Sequence, residues 1–220
     1  MADNRTRGVI FDMDGVLVDT GEFHRRSWWD LAAREKWEHY TDEFFLSTFG
    51  MQNAQIIPRI LGRPVGPEVI REMSEWKEAR YRELITGKLE LLLGVLELLR
   101  DLKAHGFKLA IGTSTPRINL EFMLPHMHVR EFFDDYVTAE DVARSKPAPD
   151  TFLKAAEKLG LPPARCVVVE DAVAGVAAGK AGGMKVIAVT NTRPREELTQ
   201  ADRIIESLAE LTARDFQAII

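Results

Sequence analysis

The stretch Gly8-Val9-Ile10-Phe11-Asp12-Met13-Asp14-Gly15 places two aspartates directly after a short apolar run. β-Branched and aromatic residues between two glycines predict a short, buried strand. Residues i and i+2 of a strand point to the same face, so Asp12 and Asp14 leave the strand end close together. Two neighbouring carboxylates are stable together only where a cation or a shared proton lies beside them. The stretch therefore predicts a metal-binding or proton-transferring acidic pair, in preference to a solvated acidic loop.

The composition is that of an ordinary globular protein with an acidic balance. The 220 residues are 45% hydrophobic and 29% charged, with a formal net charge of −5. This length suits one large domain, or one domain with a smaller companion. The acidic balance argues against a nucleic-acid partner. No apolar stretch approaches the roughly 18 residues that a membrane-spanning helix needs, so we expect no membrane partner either.

The single cysteine, Cys166, excludes a disulfide within the chain and favours a reducing compartment. It lies in the apolar run Cys-Val-Val-Val, which is typical of a small buried hydrophobe rather than a nucleophile. Residues 1–8 are polar and lack the apolar core of a signal peptide. We therefore expect a cytoplasmic protein.

Apolar, β-branched runs recur along the chain and alternate with amphipathic segments. The runs predict strands at 8–13, 108–113, 136–139, 166–169, 186–190 and 203–205. Glycine or proline bounds the predicted helices at 91–105, 116–124, 149–159 and 172–181. This alternation favours an α/β fold with a parallel sheet and right-handed crossovers. Ligands of such sheets bind beyond the carboxyl ends of the strands.

One region interrupts this alternation with helices alone. The predicted helices are 22–37, 42–48, 52–61 and 67–85, with a Gly- and Pro-rich connector before the last. We interpret the region as a helical insertion after the first strand that lies over the site. The predicted division is therefore a core of 1–19 and 88–220 with an inserted helical domain of 20–87.

Three further segments place polar residues where predicted strands or turns end. In Thr113-Ser114-Thr115-Pro116, hydroxyl and N–H groups meet a helix start, which suits both helix capping and anion binding. In Ser145-Lys146-Pro147, the lysine is able to balance clustered carboxylates and a phosphate. In Val168-Val169-Glu170-Asp171, a second acidic pair ends a buried strand. Such an oxygen-rich set suits Mg²⁺, which binds through one or two carboxylates and keeps some of its waters.

These motifs together resemble the haloacid dehalogenase superfamily, in its phosphatase and phosphomutase branch. The resemblance rests on Asp12-Met13-Asp14-Gly15-Val16-Leu17, the Thr113-Ser114 strand end, Ser145-Lys146-Pro147-Ala148-Pro149 and Glu170-Asp171, and covers nearly the whole chain. It implies a Rossmann-like parallel core with a small four-helix cap after the first strand. The dehalogenases themselves lack the second aspartate, so Asp14 argues against dehalogenation.

The resemblance also implies roles for the residues of the motifs. Asp12 is expected to be the nucleophile that accepts the phosphoryl group as an aspartyl-phosphate. Asp14 is expected to be the general acid and then the general base, with a pKa tuned toward the working pH. Thr113 and Ser114 are expected to hold phosphate oxygens, and Lys146 to neutralise charge on the nucleophile and the phosphoryl group.

The expected cofactor is Mg²⁺. By the same resemblance, its ligands are Asp12, the main-chain carbonyl of Asp14, and Asp171, with Glu170 binding directly or through water. Positioning and neutralisation of charge then supply most of the rate.

The cap is expected to choose the substrate. His24 matches a histidine of the beta-phosphoglucomutase family that faces the active site, and Gly50 is expected to line the substrate site. The stretch Phe49-Gly50-Met51-Gln52-Asn53 lacks the cations with which such mutases hold a second phosphate, and Pro116-Arg117 replaces their Lys-Asn. Arg59, Arg63 and Arg117 are open candidates for the missing cation. We therefore predict a Mg²⁺-dependent phosphatase of a small phosphorylated metabolite, such as a sugar phosphate, that is a monomer or weak dimer. The alternatives are a hexose-phosphate mutase and a non-catalytic binding module.

Overall fold

The computed structural model describes residues 6–220, so residues 1–5 of the predicted core and of the polar start lie outside the described residues. Six strands form one parallel sheet. They are β1 (Gly8–Phe11), β2 (Lys108–Gly112), β3 (Asp135–Val137), β4 (Cys166–Glu170), β5 (Lys185–Val189) and β6 (Arg203–Ile205). Each lies where an apolar run predicts it, with ends that differ by at most two residues.

The sheet order is β3-β2-β1-β4-β5-β6, which puts β1 at the centre. Ile10 of β1 is in register with Ala110 of β2 on one side and with Val168 of β4 on the other. From β1 the strand order continues through β2 to β3 on one side, and from β4 through β5 to β6 on the other. The order thus reverses between β1 and β4, and ligands in this topology bind beyond the carboxyl ends of the strands at such a reversal. Asp12 and Asp14 follow β1 directly at this position.

The α-helices of the described chain fall into two groups, those between β1 and β2 and those that follow β2. Those between β1 and β2 are α1 (Gly21–Glu35), α2 (Asp42–Thr48), α3 (Asn53–Ile60), α4 (Pro67–Ile85) and α5 (Val95–Ala104). The others are α6 (Arg117–Met127), α7 (Asp150–Leu159), α8 (Val173–Ala181) and α9 (Ala213–Ile219). Helix α5 begins four residues later than predicted, after Gly94 with a φ of 86°. Helix α6 extends three residues further than predicted, and α9 was not predicted.

Both faces of the sheet are buried, which explains why its strands are almost entirely apolar. Side chains alternate along β1: Val9 and Phe11 belong to one apolar cluster, and Ile10 to a second cluster on the opposite face. Helices α1–α4 contain a third cluster with Trp28, Leu31 and Ile57. The architecture confirms the predicted α/β fold with a small helical cap.

None of the helices in the described part of the chain is long and apolar enough to cross a membrane.

Candidate active site

A cavity of about 200 Å³ lies between the carboxyl end of the sheet and the cap helices α1–α4. From the core, it is lined by predicted site residues: Asp12, Asp14, Thr113, Ser114, Lys146 and Asp171. His24 of α1 and Gly50, which follows α2, line it from the cap. Glu170 lies directly behind this surface and is 1% exposed. The structure thus brings the predicted site residues together from six separate segments of the chain.

Lys146 ties the first strand end to the fourth. Its ammonium donates to Oδ1 of Asp12 at 2.7 Å and to Oε1 of Glu170 at 2.6 Å, and the lysine is only 2% exposed. Burial raises the pKa of Asp12 to about 7, and the neighbouring Glu170 and Asp14 add to this, while Lys146 opposes it. Burial would lower the pKa of Lys146, but Asp12 and Glu170 outweigh it and hold that pKa above its usual value. The lysine is therefore a fixed cation beside Asp12.

Glu170 is held by main-chain as well as side-chain donors. Its Oε2 accepts from the N–H groups of Asp171 and Ala172, both at 2.7 Å, at the start of helix α8. A carboxylate is favoured at this position by the unpaired N–H groups and the dipole of the helix. Gly175 makes the arrangement possible, since a Cβ there would lie 1.7 Å from Oε1 of Glu170.

Three carboxylates form a compact, buried group. Asp12, Glu170 and Asp171 each present an oxygen within 4.8 Å of the others. Oδ2 of Asp171 accepts from Thr192 at 2.5 Å, whereas its buried Oδ1 has no hydrogen-bond partner among the described residues. Burial and the charges of Glu170 and Asp12 raise the pKa of Asp171 well above its usual value. A buried acidic group with one unpartnered oxygen fits a divalent cation with oxygen ligands.

Asp14 faces the cap rather than this carboxylate group. Its Oδ1 accepts from Thr20 at 2.5 Å and lies 3.4 Å from Nε2 of His24, and its Oδ2 accepts from Thr115 at 2.5 Å. Burial would raise the pKa of Asp14, but the hydrogen bonds that it accepts from His24, Thr115 and Thr20 outweigh burial and hold the pKa well below its usual range. The expectation of a pKa tuned upward is therefore wrong for the site without substrate, because its donors stabilise the carboxylate.

The end of β2 supplies the polar groups expected to bind phosphate. Thr113 is buried, and its Oγ1 accepts from the N–H of Thr115 at 3.1 Å. Ser114 lines the cavity, and its buried Oγ has no hydrogen-bond partner in the described chain. An unpartnered buried hydroxyl on a residue that lines a cavity is suited to binding a polar ligand atom.

A buried polar network continues from His24 into the cap. Nζ of Lys77, on α4, lies 2.9 Å from Nδ1 of His24 and donates to Oε1 of Glu78 at 2.9 Å. An ammonium has no acceptor capacity, so Nδ1 of His24 is the acceptor and Nε2 is free to donate toward Asp14. Glu78 also accepts from Asn53 of α3 at 2.7 Å and from Asn119 of the core helix α6 at 2.5 Å. The network thus links Asp14, three cap helices and the core.

Other polar contacts hold the cap against the core. Gln52 donates to the carbonyl of Ala139 at 3.1 Å, and Ser145 donates to Oε1 of Gln55 at 2.8 Å. Arg193, after β5, donates to the carbonyl of Leu46 in α2. Near these contacts, Gly50 has a φ of 86°, and a Cβ there would lie 3.6 Å from Ala172 of the core. The structure therefore shows the cap closed over the cavity.

Sequence reasoning did not identify several residues of this site. Lys77 and Glu78 are buried on a helix whose sequence is otherwise charged and amphipathic, and Asn119 lies in the first turn of α6. The only signal at Thr115 was its place in a cluster of hydroxyl residues, and Thr192 gave none. Each of these residues acts through a partner that is distant in sequence.

With this geometry established, comparison with known proteins gives the class. A sequence profile described as haloacid dehalogenase-like hydrolase matches residues 9–189, so the chain belongs to this family. Hexitol phosphatase A of Escherichia coli is 35% identical over 94% of this chain and 94% of its own. Protein CbbY of Rhodobacter capsulatus is 32% identical over 92% of this chain and 94% of its own.

Solved structures give the same result. The beta-phosphoglucomutase of Clostridium difficile is 28% identical, with a TM-score of 0.86 over 97% of this chain and 96% of its own. Together these similarities place the chain among the enzymes of the phosphatase branch of the haloacid dehalogenase superfamily, to which the phosphomutases are related.

Proposed function

We propose that the protein is a Mg²⁺-dependent phosphatase that hydrolyses a small phosphorylated metabolite through an aspartyl-phosphate on Asp12. The observation that carries the proposal is the placement of Asp12 beside both the fixed cation of Lys146 and the buried carboxyl group of Asp171, in the lining of the cavity under the cap. The unpartnered oxygen of Asp171 and the unpartnered hydroxyl of Ser114 support the binding of a cation and of a phosphate at this cavity.

The chemistry proceeds in two displacements at phosphorus. A carboxylate oxygen of Asp12 forms a bond to phosphorus while the bond to the ester oxygen breaks, and Asp14 gives its proton to that oxygen. A water then attacks the same phosphorus, Asp14 takes a proton from the water, and the bond to Asp12 breaks to release phosphate. Asp14 must be protonated at the first step. A phosphate ester dianion beside it raises its pKa by repulsion between like charges.

The residues present fit a Mg²⁺ ion at the acidic group. Asp12 and Asp171 would hold it, with the main-chain carbonyl of Asp14, and with Glu170 directly or through water. When bound, the ion neutralises negative charge on Asp12 and the phosphoryl group, which Lys146 alone does only in part.

The cap side of the cavity favours a phosphatase over a mutase. The stretch that follows α2 carries no cation, and Lys77, the one lysine or arginine of the described cap residues that line the cavity, is already paired with Glu78. A mutase must hold two phosphates. A hexose-phosphate mutase stays the second candidate because a beta-phosphoglucomutase has closely similar architecture.

The test is a phosphate-release screen over sugar phosphates, phosphoglycolate, nucleotides and pyrophosphate, with Mg²⁺ and with EDTA. We expect Mg²⁺-dependent turnover of at least one compound that is lost in Asp12→Asn. Isomerisation of an anomeric sugar phosphate in the presence of a bisphosphate primer, with little phosphate released, would instead establish the mutase. No turnover in either assay would favour the remaining alternative, a non-catalytic binding module.

A cytoplasmic location and a monomeric or weakly dimeric state stay predictions.

A further inference from the structure

The cap wall of the cavity contains an apolar, partly aromatic surface, next to the uncharged polar residues Thr48, Gln52, Asn53 and Ser74. Six of the cap side chains that line the cavity are uncharged and apolar or aromatic: Trp28, Phe45, Phe49, Met51, Ala54 and Ile56. Phe45 and Phe49 pack edge to face with ring centroids 5.4 Å apart, and Phe49 packs in the same way on His24 at 6.2 Å. These contacts fix the rings, so the wall presents a preformed apolar surface opposite the phosphate end.

The charged groups of the same wall neutralise one another. Lys77 and Glu78 are 2% and 5% exposed and lie 2.9 Å apart. Glu78 is fixed further by Asn53 and Asn119, so its carboxylate is not free to turn away from the lysine. The lysine and the glutamate of the cap residues that line the cavity are therefore paired with each other, and neither offers a ligand an uncompensated charge.

This wall has opposite consequences for two kinds of leaving group. A second phosphate or a carboxylate on the substrate would lose its water against the wall without gaining a counter-ion, which is strongly unfavourable. An apolar or aromatic leaving group would instead exchange water for close contact with fixed rings. The cavity of about 200 Å³ is also small. An apolar cavity of roughly 150 Å³ accepts a benzene ring, so one ring beside the phosphoryl group matches the available space.

We propose that the cavity selects a phosphate monoester whose leaving group is compact, uncharged and presents an apolar or aromatic face to the cap. This inference rests on the proposed phosphatase function and specifies its substrate class. Phe49, Met51 and Ile56 are then specificity-determining residues, and the Lys77–Glu78 pair excludes substrates with a second anionic group.

The first test compares esters of primary alcohols on the unmodified protein with Mg²⁺: benzyl phosphate, glucose 6-phosphate and fructose 1,6-bisphosphate. Their leaving alcohols are alike in acidity, so differences in kcat/KM report the cavity rather than the chemistry. We expect benzyl phosphate to exceed glucose 6-phosphate by about 10- to 100-fold in kcat/KM, with the bisphosphate lowest.

Equal or better turnover of either sugar compound would overturn the inference while leaving the phosphatase intact. Absence of phosphate release from all three compounds, together with an empty wider screen, would overturn the proposed function itself.

The second test places a cation on the wall. Met51 is half-buried and unbranched, so Met51→Lys is able to extend an ammonium into the cavity. We expect it to raise kcat/KM for the bisphosphate relative to benzyl phosphate by about tenfold, mostly through KM, as one partly buried ion pair would. Met51→Leu controls for the loss of the thioether, and Val69→Lys adds the same charge to an exposed position of α4. An unchanged ratio in a folded Met51→Lys protein would contradict the inference.

Discussion

The two ends of the cavity use buried charge in opposite ways. At the core end, Lys146 faces the carboxyl groups of Asp12 and Glu170, and Asp171 lies beside them, so acidic groups outnumber the one lysine. At the cap end, one lysine faces one glutamate and neutral amides complete the network. Buried charge is costly unless it is compensated. The core end therefore has the means to bind a cation and a reacting phosphoryl group, whereas the cap end selects by shape and polarity.

The largest expected effect at the core end is on the reaction itself. Asp12→Asn removes the nucleophile but keeps the size of the side chain. We expect kcat to fall by about 10⁴-fold or more, since loss of a covalent nucleophile removes the route through the enzyme intermediate. Steady-state phosphate release measures this. Glu121→Gln, at an exposed carboxylate on α6, is the control and should retain activity. Substantial residual activity in Asp12→Asn would give the nucleophilic role to another residue.

The next effect concerns the stability of the core end. Lys146→Met leaves Asp12 and Glu170 buried without their cation, so we expect the free energy of unfolding to fall by about 3–5 kcal/mol. Chemical denaturation without metal measures it. Lys154→Met breaks an exposed pair with Glu157 and should cost at most about 1 kcal/mol.

The double variant Asp12→Asn, Lys146→Met should recover part of the lost stability, because the two residues interact directly. Strict additivity would show that the lysine and the aspartate are not coupled, and would weaken the contrast with the neutral cap end.

The pH dependence of stability has a defined sign at the core end. Burial raises the pKa of Asp12 to about 7 in the folded protein, while the unfolded value is about 3.9. Between these values the folded state keeps a proton that the unfolded state has released. Without metal, the contribution of Asp12 to the free energy of unfolding therefore falls as pH rises from about 4 to 7, by on the order of a few kcal/mol.

The measurement is the difference in unfolding free energy between the wild type and Asp12→Asn across this pH range, in EDTA and in Mg²⁺. We expect the difference to change with pH in EDTA and to flatten in Mg²⁺, because a bound cation favours the carboxylate. A difference that is independent of pH in EDTA would mean that Asp12 is already ionised at low pH.

The smallest effect is expected at the cap end. Asn119→Ala removes the amide that donates to Glu78 and accepts from Arg82 at 2.6 Å. Because Glu78 keeps Lys77 and Asn53 as partners, we expect a loss of only about 1–3 kcal/mol in stability. Gln200→Ala, at an exposed amide, is the control. A loss as large as that of Lys146→Met would show that the two ends depend equally on their buried partners.

Much of the core followed from local sequence patterns. Runs such as Cys166–Glu170 are apolar because both faces of a parallel strand are buried, so they are recognisable without any tertiary information. The convergence of Asp12, Lys146 and Asp171 followed from the rule that ligands bind beyond the carboxyl ends of such strands. The short helix α9 was missed, although Thr212 and Asp215 form a capping box at its start.

The cap end was less predictable for a physical reason. Lys77 and Glu78 are adjacent charged residues on a helix, which is typical of a solvated surface. They are buried because α4 packs against α1, α3 and α6 in the fold. The pKa of Asp14 was predicted in the wrong direction because its donors, Thr20 and Thr115, come from separate segments of the chain. Properties that depend on such distant partners require the folded arrangement.

The absence of a side chain at Gly175 limits which sequences this fold accepts. Alanine is the better helix former by about 1 kcal/mol, so an exposed glycine in α8 would be open to replacement. Here the added methyl group would displace the carboxylate of Glu170 from the helix start and from Lys146. Directed evolution for thermal tolerance should therefore retain Gly175, even while it replaces glycines at exposed positions.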